Sequence, residues 1–254
     1  MLIFDFDGVL INSLDEVVLT TYNAVMGSLL TSLATLPEEL VLLFKYNRFH
    51  VQQIGEAISL MNWCLQNYHS ASAKVLTRTE YQNIRAEGIV SLADRTRQIY
   101  ETRSLLINRN LKNWIALHKP FQPIWDGLMR YEDEPYVILT NKNRDATLRL
   151  CRHFGLKIKT TDVYTGDQGV TKTENMQQIQ NRFRGESFFL IDDSVKNLQE
   201  LDIFFNHDKN TLTLLFASWG YTGPEDAKIA REYGYPIFRQ TDMILLLDQQ
   251  TFLS

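Results

Sequence analysis

The chain opens Met1-Leu2-Ile3-Phe4-Asp5-Phe6-Asp7-Gly8-Val9-Leu10. Four apolar residues run unbroken into two acids that flank Phe6. Such a run fits a strand buried on both faces, as in a parallel sheet. Asp5 and Asp7 are two residues apart, so on extended backbone they point to the same side. Gly8 lets the chain turn directly after them. This strand therefore carries its polar chemistry at its C-terminal tip.

The same pattern returns in the second half of the chain. Tyr136-Val137-Ile138-Leu139 runs into Thr140-Asn141, and Phe188-Phe189-Leu190-Ile191 runs into Asp192-Asp193. Thr211 to Phe216 runs into Ala217-Ser218-Trp219-Gly220. Helical patterns follow, from Asp145 to Phe154 with Gly155 as a stop, and from Ser194 onward. Strand, polar tip, helix, strand is the rhythm of a doubly wound parallel sheet. Ligands in such sheets bind at the carboxyl ends of the strands. Asp5, Asp7, Thr140, Asn141, Asp192 and Asp193 are thus expected to share one crevice.

Between the first strand and Pro120 the character is different. Ser13 and Glu16 have the spacing of a capping box, and Pro37-Glu38-Glu39 reads as a second helix start. Apolar residues recur at helical intervals to about Lys119, with no alternating strand pattern. The expected fold class is α/β: a doubly wound parallel core of residues 1–15 and 119–254, interrupted by an all-helical insertion at 16–118.

Bulk properties narrow the class of function. The chain has 254 residues, 44% of them hydrophobic and 22% charged, as expected of a globular protein with a substantial core. A net charge of −4 does not favour non-specific nucleic-acid binding. No uncharged run approaches the ~20 residues of a membrane helix. The two cysteines, Cys64 and Cys151, have no metal-type spacing and suit a reducing compartment. The expectation is a soluble cytoplasmic protein. No G-x-G-x-x-G follows the first strand, which disfavours a dinucleotide oxidoreductase.

Two acid pairs at the ends of buried strands repel one another unless a cation lies between them. A hard, oxygen-seeking ion such as Mg²⁺ relieves that repulsion. Thr140, with backbone N–H groups beside it, makes either a phosphate cradle or a plain helix cap. Lys172, in the polar loop Gly169 to Glu174, is either a partner for a phosphate or a solvated lysine. Lys142, directly after Thr140-Asn141, competes for the same role.

Asp5-Phe6-Asp7-Gly8-Val9-Leu10 resembles the first motif of the haloacid dehalogenase superfamily. Thr140 is similar to its second motif, Lys172 to its third, and Phe189-Leu190-Ile191-Asp192-Asp193 to its fourth. The resemblance covers residues 1–15 and about 120–220. Thr173 stands where many members carry a proline after the lysine, and Asn197 where many carry a further acid. The resemblance implies a nucleophilic Asp5 that becomes an aspartyl-phosphate, and a general acid/base Asp7. It implies Mg²⁺ held by Asp5, the Asp7 backbone carbonyl and Asp193, with Asp192 and Asn197 nearby. Thr140, the Asn141 amide and Lys172 would hold the phosphoryl oxygens. The helical insertion resembles the family's cap, in which Lys45, Tyr46, Asn47, Arg48 and His50 form a polar cluster. Arg48 is the candidate there for substrate contact. The implied function is a Mg²⁺-dependent phosphatase of a small phosphorylated metabolite. A phosphomutase and a non-catalytic binding protein on the same scaffold are the alternatives.

Overall fold

The computed structural model describes residues 1–70, 74–86, 90–131, 135–206 and 212–248. In chain order, β1 (Leu2–Phe4) and β2 (Ile11–Asn12) are followed by six helices. These are α1 (Leu14–Met26), α2 (Glu38–Asn47), α3 (Glu56–Asn67), α4 (Arg78–Ala86), α5 (Leu92–Arg109) and α6 (Leu111–Ala116). Then come β3 (Lys119–Pro120), α7 (Gln122–Arg130), β4 (Tyr136–Thr140), α8 (Arg144–His153) and β5 (Val163–Thr165). The chain closes with α9 (Lys172–Arg182), β6 (Phe188–Asp192), α10 (Val195–Phe205), β7 (Leu212–Ala217), α11 (Asp226–Glu232), β8 (Ile237–Phe238) and α12 (Gln240–Asp248).

The chain divides into two compact units, Met1–Asn12 with Lys119–Ser254, and Ser13–His118. In the first, six parallel strands lie in the order β5-β4-β1-β6-β7-β8. Strand β1 sits between β4 and β6, with Phe4 in register with both Ile138 and Ile191. The Asp5 amide extends that ladder by one bond, 2.9 Å to the Ile191 carbonyl. The chain changes direction across the sheet beside β1, which places the switch-point crevice at the Asp5 tip. Ile3, Val137, Leu139, Leu190 and Leu214 are buried together on one face of the sheet. The chain leaves and re-enters this unit side by side, because β2 pairs antiparallel with β3.

The second unit is helical throughout its described residues. Val18, Leu40, Phe44, Leu60 and Met61 are at its centre. Glu16 and Arg103 are also fully buried here, joined by two bonds of 2.7 and 3.0 Å, with the Thr20 hydroxyl 2.7 Å from Glu16.

The structure differs from the sequence expectation at several points. Ser13 precedes α1 but makes no side-chain cap bond, since the Glu16 carboxylate is committed to Arg103 rather than to the helix start. Strands β5 and β8 and the β2–β3 pair were not foreseen; they are two or three residues long and too short to show a period. Thr211 lies outside the described residues, and its strand runs Leu212–Ala217. Lys172 is not in a loop. It is the first residue of α9, whose N-cap Thr171 forms a capping box with Glu174.

Candidate active site

Asp5, Asp192 and Asp193 come together at the tips of β1 and β6. Each offers an oxygen within 4.8 Å of the others, and all three residues are buried. Phe4 pairs with Ile191, so the next residues, Asp5 and the strand-ending Asp192, come side by side with Asp193 directly after, and this convergence follows from the β1–β6 register.

The Lys172 ammonium bridges two of these acids, 2.8 Å from Asp5 Oδ1 and 2.6 Å from Asp192 Oδ2. The start of α9 delivers it. The Thr171–Glu174 box fixes the first turn, and Asn175 donates to the Thr165 carbonyl at the tip of β5 over 2.9 Å. Burial lowers the Lys172 pKa, but the Asp192 and Asp5 carboxylates outweigh it and hold the amine above its ordinary range.

One ammonium does not neutralise three carboxylates. Burial raises the Asp5 pKa to about 7, with Lys172 opposing the rise and Asp192 adding to it. Burial and the neighbouring acid thus outweigh the ammonium at Asp5, and further positive charge there would favour the ionised carboxylate. The donor set is all oxygen, which suits a hard divalent cation such as Mg²⁺. Asp5, Asp192 and Asp193 are the residues that would hold it.

Asp192 is held by Ser194 N–H at 2.8 Å and by the Asn197 amide at 3.1 and 3.2 Å. Asn197 thus orients an acid of the cluster. Asp193 accepts the Tyr221 backbone N–H at 2.5 Å on Oδ2. A Cβ on either Gly8 or Gly220 would collide with the Asp193 side chain, and Gly8 also has φ +95°.

The Asp7 carboxylate lies outside this three-acid cluster. It takes the Lys142 ammonium at 3.1 and 3.3 Å, and the Lys142 side chain is 1% exposed. Lys142 and Lys172 therefore do not compete: each is placed on a different acid of the first motif. The Lys142 amide also donates to the Thr140 hydroxyl at 3.1 Å, which tightens the turn after β4. Thr140 is buried at that strand's end, and Gly166 leaves room for the Asn141 backbone alongside.

Arg48 belongs to the helical unit, where its Nη1 donates to the Val51 carbonyl at 2.6 Å. Two of its sequence neighbours are structural. Asn47 ties Leu43, Lys74 and Leu76 together through their backbones, and His50 bonds the Leu76 carbonyl and stacks on Tyr81. Lys45 pairs with Asp15. The contacts made by Gly220 and the Tyr221 amide were not foreseen. Their only sequence signal is their position directly after a buried strand.

No protein-family model matches the sequence, and no curated protein matches it. Solved structures do. A haloacid dehalogenase-like family hydrolase of Streptococcus pneumoniae superposes with TM-score 0.55 at 14% identity, over 98% of this chain and 97% of the other. A predicted phosphoglycolate phosphatase of Haemophilus somnus gives 0.56 at 15% identity, over 97% and 96%. A hydrolase of Pseudomonas syringae gives 0.55 at 14% identity, over 99% of each chain. Across nearly its whole length, this chain has the fold of the haloacid dehalogenase-like hydrolases.

Proposed function

We propose that the protein is a Mg²⁺-dependent phosphatase of a small phosphorylated metabolite, acting through an aspartyl-phosphate on Asp5. The observation that carries this reading is the convergence of Asp5, Asp192 and Asp193 at the tip of the central strand with one buried lysine among them. The names of the solved structures that share the fold, hydrolases and phosphatases, support the same chemistry.

In the first half-reaction an Asp5 oxygen attacks phosphorus, and the bond to the leaving oxygen breaks. Asp7 gives that oxygen its proton. In the second, Asp7 takes a proton from water, whose oxygen attacks phosphorus and releases phosphate from Asp5. Lys172, the Thr140 hydroxyl and the Asn141 amide bind the phosphoryl oxygens, where positioning and charge neutralisation supply most of the rate. Asp5, Asp192 and Asp193 would hold Mg²⁺, which together with the Lys172 ammonium would balance their charge and supply positive potential for an anionic phosphoryl group. The helical unit would serve as the cap that excludes water, and Arg48 would contact the substrate. Cys64 and Cys151 are both buried free thiols, which supports a cytoplasmic setting.

The test is phosphate release from a panel of phosphorylated metabolites, with Mg²⁺, with chelator, and with Asp5→Asn. Release that requires both Mg²⁺ and Asp5 supports the proposal. Absence of release from a folded protein that binds Mg²⁺ overturns it.

A further inference from the structure

Asp193 sits in a slot built by residues distant in sequence. Gly8 and Gly220 both lie against its side chain, close enough that a Cβ on either would overlap it. At Gly220 the atom that an added methyl would meet first is the Asp193 Cβ, the root of the side chain. A flexible tip could swing aside; the root cannot, so Asp193 itself would have to shift. The next amide, Tyr221 N–H, holds Oδ2 at 2.5 Å. The turn that supplies both is pinned to the loop after Asp7. The Trp219 indole N–H donates to the Val9 carbonyl at 3.0 Å, and the Tyr221 hydroxyl reaches the Ile11 carbonyl at 3.5 Å. The turn therefore grips one acid of the cluster and the segment that carries Asp7 together.

We propose that Trp219-Gly220-Tyr221 is a positioning element for the metal-binding carboxylate of Asp193. It makes cation affinity depend on a residue that has no ligand atom of its own. This inference rests on the proposed Mg²⁺ site. Groups that orient a ligand without touching the metal commonly change affinity by about 10- to 100-fold when altered. Gly220 has no positive φ, so Gly220→Ala tests the slot without added backbone strain.

The experiment is calorimetric titration of Mg²⁺ into the wild-type chain, Gly220→Ala and Asp193→Asn, with thermal melting of each. Gly220→Ala is expected to bind Mg²⁺ at least about tenfold more weakly. Its phosphate release is expected to return to near the wild-type maximum when Mg²⁺ is raised, whereas that of Asp193→Asn does not. A merely structural glycine would lower the melting temperature and leave Mg²⁺ affinity unchanged, and that result overturns the inference. Should Gly220→Ala fail to fold, Trp219→Phe keeps the ring and removes only the indole N–H. It is expected to weaken Mg²⁺ binding roughly threefold, less than the range of about 10- to 100-fold because one hydrogen bond remote from Asp193 is lost and the slot stays intact; unchanged binding counts against the inference. If the wild-type chain binds no Mg²⁺, the metal site itself falls, and that failure shows in the first titration alone.

Discussion

The Lys172 ammonium lies 2.8 Å from the Asp5 carboxylate, across 167 residues of chain, and both groups are buried. Removing the ammonium from such a buried site is strongly destabilising, because the carboxylates stay desolvated and lose their counter-charge, whereas without Asp5 the ammonium still has Asp192. Lys172→Met removes the ammonium that Asp5 and Asp192 share. It is expected to cost about 3 kcal/mol in chelator. Added Mg²⁺ should restore part of that loss, as seen by urea denaturation with and without the ion.

The Asp5→Asn variant should lose turnover by about 10³-fold or more, since no other group takes the nucleophile's place. Its stability should change in the opposite direction. The Asp5 pKa is 3.8 in an ordinary setting and about 7 in the fold. Between those values the native state keeps a proton that the unfolded chain has released, so stability falls as pH rises through that window. Asp5→Asn removes this penalty. Without metal, the variant should melt higher than wild type at pH 8, and the difference should shrink towards pH 4.

The ion pair between Glu16 and Arg103 makes the helical unit sensitive to single charge changes. Both side chains are almost fully buried, and the carboxylate also takes the Thr20 hydroxyl. Glu16→Gln or Arg103→Met should each cost about 3–5 kcal/mol. The double variant Glu16→Gln/Arg103→Met should cost less than the sum of the two, which a double-mutant cycle of denaturation midpoints would show.

Lys142 holds both Asp7 oxygens, so Lys142→Met should impair the step that needs a proton for the leaving group. Turnover of alkyl phosphates should drop several-fold more than that of p-nitrophenyl phosphate, whose leaving group needs little protonation. Equal losses on both substrates would argue against a link to proton donation.

Thr171→Ala removes the hydroxyl that caps α9 and should cost about 1 kcal/mol. Because Lys172 is the next residue, the loss should extend to the apparent affinity for phosphate, measured by product inhibition.

Much of the site could be read from three strand tips. Asp5, Thr140 and Asp192 end or directly follow buried apolar runs, and a parallel sheet in register must bring such ends together. The helical insertion was visible because helical spacing persists for about a hundred residues. What escaped was set by contacts distant in sequence. Glu16 stands three residues after Ser13, as in a capping box, yet its partner is Arg103, 87 residues away. Lys172 looked like a loop lysine because Thr171-Lys172-Thr173 carries no apolar pattern; the Glu174 capping partner was the unread cue. Gly220 is legible only once Asp193 is placed against it.

Strand β1 precedes both strands that flank it by more than a hundred residues. Leu2 must wait for Tyr136 on one side and Phe189 on the other. During synthesis the whole of Ser13–His118 emerges before either partner does. At about 5–20 residues per second, an apolar N-terminal segment stays unpaired for several seconds or more. The nascent chain therefore leaves this apolar segment unpaired throughout that interval, and slowing elongation between residues 12 and 136 should raise its demand for chaperones.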